Sequence, residues 1–176
     1  MTQNKKSMLL FADAAVESLE RDKTLPVKFE RMIKRMKLSE KIGGKTVVIK
    51  MHVGEDIGFT TIHPVFVHIL IEAVKNAGAK SVKVMYGKDP RQGIIRGYTS
   101  EILGCPIVSG FGQDDMDYSQ ESIGFKELDE ALLSREALES DYFIDLAHVK
   151  GHGTCGFGGS LKNIAMGLVT PETRKK

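Results

Sequence analysis

The order of apolar and polar positions divides the chain into alternating helices and strands. Leu25, Phe29, Met32, Ile33 and Met36 recur at helical spacing with Lys, Arg and Glu between them. A helix is therefore predicted there, with Pro26 in its first turn. A weaker helix is expected over residues 13–20, where Val16 and Leu19 are the apolar points, so that residues 1–40 form a helical N-terminal extension. Gly43 and Gly44 mark a turn. Lys45 to Val53 reads as a strand, and its consecutive Val47, Val48 and Ile49 suit a strand covered on both faces. Pro64 opens the next helix; Val67, Leu70, Ile71, Val74 and Ala77 form its apolar face, and Gly78 ends it. Lys80 to Tyr86 is the second strand. A strand–helix–strand unit of this kind gives parallel strands and a right-handed crossover.

Further along, Gln92 to Leu103 is predicted helical and Gly104-Cys105-Pro106 breaks it. Ile107 and Val108 make a short strand. Residues 109–124 are polar and carry glycines, so they form an irregular excursion or a hairpin. Glu127 to Leu138 reads as a helix, with Leu128, Ala131, Leu132 and Leu138 inward. Tyr142 to Leu146 lies in the third clear strand, which begins near Asp141. The expected fold is one α/β domain over residues 1–176, a three-layer arrangement of a largely parallel sheet with helices on both faces. Its core is expected to span residues 45–168.

The densest chemistry lies between the third strand and a helix that starts near Leu161. His148 to Asn163 holds five glycines, two histidines, two lysines and Cys155. Glycines there let a ligand approach the backbone, and a helix N-terminus favours an anion. The bland alternative is a flexible surface loop. Lys150 and Lys162 suit anion binding over amides contributed by Gly151, Gly153, Gly158 and Gly159. Cys155 is either a nucleophilic or redox thiol or merely a small residue. His148 and His152 are four positions apart, and with His52 they would make a three-ligand metal site. The competing reading has His152 hydrogen-bonded within the loop and His52 satisfied in the sheet. Neither a phosphate-binding Walker loop nor the dinucleotide fingerprint is present.

In an open parallel sheet, ligands sit beyond the carboxyl ends of the strands. The first strand ends at His52 with Glu55 and Asp56 beyond it, the second at Tyr86-Gly87-Lys88-Asp89, and the third at His148 to His152. These three loops are expected to share one rim.

Composition narrows the classes. Of 176 residues, 41% are apolar and 27% charged, an ordinary globular balance with a net charge of +2. No nucleic-acid partner and no membrane partner are expected. The basic runs, Lys28 to Lys37 and Arg174 to Lys176, carry no interleaved aromatic platform. The Met8 to Ala12 apolar run is too short for a signal segment or a membrane span. Two cysteines, Cys105 and Cys155, make no disulfide framework and fall short of the four thiolates of an ordinary iron–sulfur cluster. A cytoplasmic, reduced setting is expected. Leu168 and Val169 before Pro171 suggest that the chain end packs against something, with a second subunit as one option.

Three stretches together resemble a known family. Lys50-Met-His-Val-Gly-Glu55, Ile62-His-Pro-Val-Phe-Val67 and the His148 to Gly167 segment are similar to the domain-of-unknown-function-362 family, over roughly residues 45–168. Position by position, its motif implies Lys50, His52, Lys150, His152, Lys162 and Asn163 as site residues. Members often carry an iron–sulfur label and continue into a ferredoxin-like module. An iron–sulfur cofactor is therefore implied by the resemblance alone, held by a ferredoxin-like module or subunit elsewhere. Three functions are compatible with these observations. The first is an enzyme domain that binds a small anion at residues 148–163, with Lys150, His152 and Cys155 as its reactive groups. The second is a non-catalytic metal- or metabolite-binding module. The third is a fragment completed by a C-terminal part or by a partner, including a second copy.

Overall fold

The computed structural model describes residues 7–54, 60–87, 90–112, 116–126 and 128–175. Its centre is a four-stranded, all-parallel sheet in the order β3-β2-β1-β6. These strands are β1 (Thr46–Met51), β2 (Ser81–Tyr86), β3 (Ile107–Ser109) and β6 (Tyr142–Leu146). Side chains alternate across the sheet, so β1 faces two layers at once. Val47, Ile49 and Met51 enter one core with α1 (Leu25–Arg35), α2 (Ser39–Ile42), α3 (Pro64–Asn76) and α4 (Ser100–Leu103). Val48 enters a smaller core on the opposite face with Met85, Phe143, Ala137 of α5 (Arg135–Leu138) and Leu168 of α6 (Ser160–Leu168). The run of apolar residues in β1 is thus explained by cover on both faces, as expected.

Local signals act where the sequence places them. Val67, Leu70, Ile71 and Val74 are the buried stripe of α3, Pro64 lies at its first position, and the His63 Nδ1 accepts from the Val65 N–H at 3.2 Å. Phe29 of α1 meets Phe66 of α3 edge to face, with centroids 5.5 Å apart. This contact ties the N-terminal helix into the main core rather than leaving it as an appendage.

Several expectations need correction. Residues 13–20 are not helical; only a short 3-10 turn, Arg21–Lys23, precedes α1. The reason is that Val16 and Leu19 have no surface to pack on and stay exposed. A 3-10 segment (Pro90–Arg96) and the short α4 replace the single helix expected over 92–103. The helix expected over 127–138 is mostly a strand. Leu128–Ser134 forms β5, antiparallel to β4 (Tyr118–Phe125), and only α5 at its end is helical. Leu128, Ala131 and Leu132 have spacing compatible with either state. Pairing with β4 decides it, together with the Leu133–Val169 bridge and a hydrogen bond from the Leu132 N–H to Thr173 Oγ1 at 3.0 Å. The segment after α6 therefore packs within its own chain, Leu168 in the smaller sheet core and Val169 on the β4–β5 hairpin. Glu55, Asp56, Lys88, Asp89, Asp114, Asp115 and Glu127 lie outside the described residues.

Two glycines let α6 lie close to the sheet. A Cβ on Gly87 would stand 2.9 Å from the Gly167 Cα, and a Cβ on Gly167 would stand 2.0 Å from the Lys50 Cε. Gly167→Ala is expected to destabilise the fold by about 1–3 kcal/mol through overpacking, although alanine suits a helix better than glycine by about 1 kcal/mol. In a Lys50→Ala background the same change should be neutral or stabilising. Urea unfolding of the four proteins of this double-mutant cycle checks it, and additive effects would refute the contact.

Candidate functional site

The carboxyl ends of β1, β2 and β6 open into a cavity of about 450 Å³. The end of β1 supplies Lys50, His52 and Gly54, that of β2 Tyr86 and Gly87, and that of β6 Ala147 and His148. One wall is a two-stranded antiparallel hairpin, β7 (Lys150–His152) and β8 (Gly156–Gly158). The glycine-rich stretch is thus not a featureless loop. It folds back on itself, with Lys150 opposite Gly158. The adjoining wall is α6, whose N-cap, Gly159, makes no side-chain cap. The first amides of α6 are therefore left for another acceptor at the cavity edge.

At the floor lies Lys50. It sits on the face of β1 that otherwise packs against α6 and is only 2% exposed. Its Nζ donates to the Met51 carbonyl and to Asn163 Oδ1, both at 2.9 Å. Asn163 is the hub of this network. Its Nδ2 donates to the Lys50 carbonyl at 3.3 Å and to Asp145 Oδ1. Asp145 pairs in register with Lys50 on the neighbouring strand. Its other oxygen, Oδ2, is buried without a hydrogen-bond partner among the described residues. Burial drives the Lys50 amine down to about 8, although the Asp145 carboxylate pulls the other way.

Above the floor the cavity is cationic. Lys150, Lys162 and Arg174 join Lys50 in its lining, and among the described residues no carboxylate lines it. The Lys150 Nζ donates to the Thr60 carbonyl at 2.7 Å, and burial, then Lys162 and Arg96, lower its pKa. His52 stands at the rim with an edge in solvent. Desolvation first, then Lys150, Lys50, Lys162 and Arg96, push its imidazole down to about 4, so it is neutral at neutral pH.

Of the residues expected from the sequence, Lys50, His52, His148, Lys150, His152, Gly158, Gly159, Lys162 and Asn163 line this one cavity. Gly151, Gly153 and Cys155 lie on the exposed part of the hairpin and outside that lining. The turn is held by His152, whose Nδ1 accepts from the Thr154 and Cys155 N–H groups, both at 3.1 Å. In the neutral ring the proton is then on Nε2. Among the described residues no three His, Cys, Asp or Glu side chains are grouped to hold a metal. The thiols do not fit an iron–sulfur cluster either. Cys105 is buried in the α3-side core and Cys155 is exposed on the hairpin.

Sequence reasoning missed Asp145, Gly167 and Arg174. Asp145 had a visible signal, a charge inside the apolar run of β6, as Lys50 is a charge inside that of β1. Arg174 looked like part of a solvated basic tail. Its Nη1 instead donates to the Met166 carbonyl at 3.2 Å and places the guanidinium at the cavity.

Parallel strands with helices on both faces define a three-layer α/β domain, with the cavity at the carboxyl ends of its strands. The chain belongs to the family described as Domain of unknown function (DUF362), whose model matches residues 47–176. A crystal structure of a protein from Thermotoga maritima is similar in fold, with a TM-score of 0.50 at 17% sequence identity. The match covers 86% of this chain and 40% of that one, so this chain spans well under half the length of that relative. No curated protein matches the chain. Among the described residues no helix is long and apolar enough to cross a membrane.

The depressed Lys50 pKa has a measurable sign. Between about 8 and the usual lysine value of 10.5, the unfolded chain binds more protons than the folded one. Stability should therefore rise with pH across that window relative to a Lys50→Met variant, by roughly 3 kcal/mol at most. Urea unfolding of both proteins at several alkaline pH values tests this, and a flat or falling difference would refute it. His52 should stay neutral in a histidine-labelled NMR titration until the pH approaches about 4.

Proposed function

We propose that this chain is an enzyme domain that binds a small, multiply oxygenated anion in the cavity between the β7–β8 hairpin and the start of α6. The observation that carries the reading is the lining itself. Lys50, Lys150, Lys162 and Arg174 face one cavity with no carboxylate among the described lining residues. A chain with a net charge of only +2 has thus gathered several cations where they repel one another. A bound phosphate or carboxylate would relieve that repulsion, and the N–H groups at the start of α6 would donate to it as well.

The buried amine at the floor favours an enzyme over a passive carrier. Surface lysines clamp an anion at little cost, whereas a buried ammonium is stabilised only by a complete set of partners. A redox form of this activity would need a ferredoxin-like module or subunit that brings its own cluster thiolates.

Isothermal titration with inorganic phosphate, pyrophosphate and citrate at low ionic strength tests the binding. One site per chain is expected, weakening as salt is raised. Lys150→Gln and Lys162→Gln should each weaken binding by about tenfold, near 1.4 kcal/mol, without loss of fold. Absence of saturable binding by any of these anions, or binding by both variants as tight as that of the unmodified chain, would overturn the reading.

A further inference from the structure

We infer that the Lys50 amine is a covalent catalyst that forms an imine with the carbonyl carbon of a small 2-oxo acid held in this cavity. The inference rests on the anion-binding reading above and names the substrate class for that site.

The placement of Lys50 carries the argument. A lysine kept only for charge would reach the surface with its head group, as long cationic side chains do. Lys50 does the reverse. Its whole side chain runs under α6, and Gly167 has no side chain at the point where a Cβ would strike it. The Nζ bond to the Met51 carbonyl directs the amine toward the carboxyl end of β1, where the cavity begins. There it is held by two neutral acceptors, Met51 O and Asn163 Oδ1, rather than by a direct carboxylate contact. Among the described residues, Asp145 hydrogen-bonds to the network through Asn163 and its Oδ2 has no donor.

This environment suits a nucleophile. Desolvated amines with cations nearby lose their proton more readily, which is how imine-forming lysines are activated. Lys50 meets the first condition, burial, which outweighs the opposing pull of the Asp145 carboxylate. Lys150, Lys162 and Arg174 would hold the carboxylate of the acid and leave its adjacent carbonyl over the floor. In the step itself, the free amine adds to the carbonyl carbon and one N–H proton passes to the carbonyl oxygen, giving a carbinolamine. The C–O bond then breaks, the second N–H proton leaves with the hydroxyl, and C=N forms. The products are the imine and one water, with no change of oxidation state.

Reductive trapping tests it on the intact chain. The protein is incubated near neutral pH with pyruvate, oxaloacetate or 2-oxoglutarate and sodium cyanoborohydride, which delivers hydride to the imine carbon. Whole-protein and peptide mass spectrometry then locate the adduct. The free-base fraction at a pKa of about 8, offset by the lower nucleophilicity that accompanies it, gives labelling of Lys50 on the order of tenfold faster than any other lysine. Inorganic phosphate should compete, and Lys50→Met should lose the adduct. Peptide mapping on the unmodified chain keeps the test valid if that variant fails to fold. Adducts spread over surface lysines, or none with the three acids, would overturn the inference. If phosphate still binds under those conditions, the anion-binding reading survives alone; if no anion binds, that reading has failed as well.

Discussion

The structure around the cavity depends on one buried ammonium. Lys50 occupies a sheet position that its neighbours fill with Val48 and Met85. Removing such a charge from water is expensive, and the surrounding backbone is arranged to offset that cost. Asn163 is the main agent. A single side-chain amide accepts from the Lys50 amine and donates both to the Lys50 carbonyl and to Asp145. It thereby fastens the first turn of α6 to β1 and β6 at once. Gly167, one turn further along the helix, is bare because the lysine stem lies there. The position of α6 is thus set by a polar network as much as by apolar burial.

That placement has electrostatic consequences. With α6 fixed, Lys162 lines the cavity, and the β7–β8 hairpin brings Lys150 to the same lining. Arg174 returns from the chain end to the same space. His52 and Lys150 both hold protons less tightly than usual, first through desolvation and then through the neighbouring cations. The four-residue helix α5 and the β4–β5 hairpin take no part in the lining; they support the far end of α6 through Leu133 and Val169.

Much of the scaffold was legible along the chain. The apolar run of β1, the stripe and caps of α3, and the strand–helix–strand order predicted a parallel sheet with cover on both sides. Those signals are local, and the periodicities of 2 and 3.6 residues register them directly. The convergence of three strand ends on one rim was also foreseeable, because parallel strands put their carboxyl ends on the same side. Strand β5 reads as a helix in the sequence because Leu128, Ala131 and Leu132 fall at helical spacing. Pairing with Tyr118 to Ser122, the Val169 bridge and the Thr173 hydroxyl separate the two states.

By itself, the sequence determined which residue types were available to the site: lysines, histidines and glycines concentrated between residue 148 and residue 163, and single charges set inside two apolar strands. Tertiary structure alone decided their roles. It took Cys155 and two of the glycines out to an exposed turn, gave His152 Nδ1 to backbone amides, and drew Arg174 from the chain end into the cavity. It also made Lys50, Asn163 and Asp145 one network across 113 residues of chain. The reason is physical. Burial and charge proximity are properties of the packed assembly, and local spacing carries no information about which distant groups share a low-dielectric space.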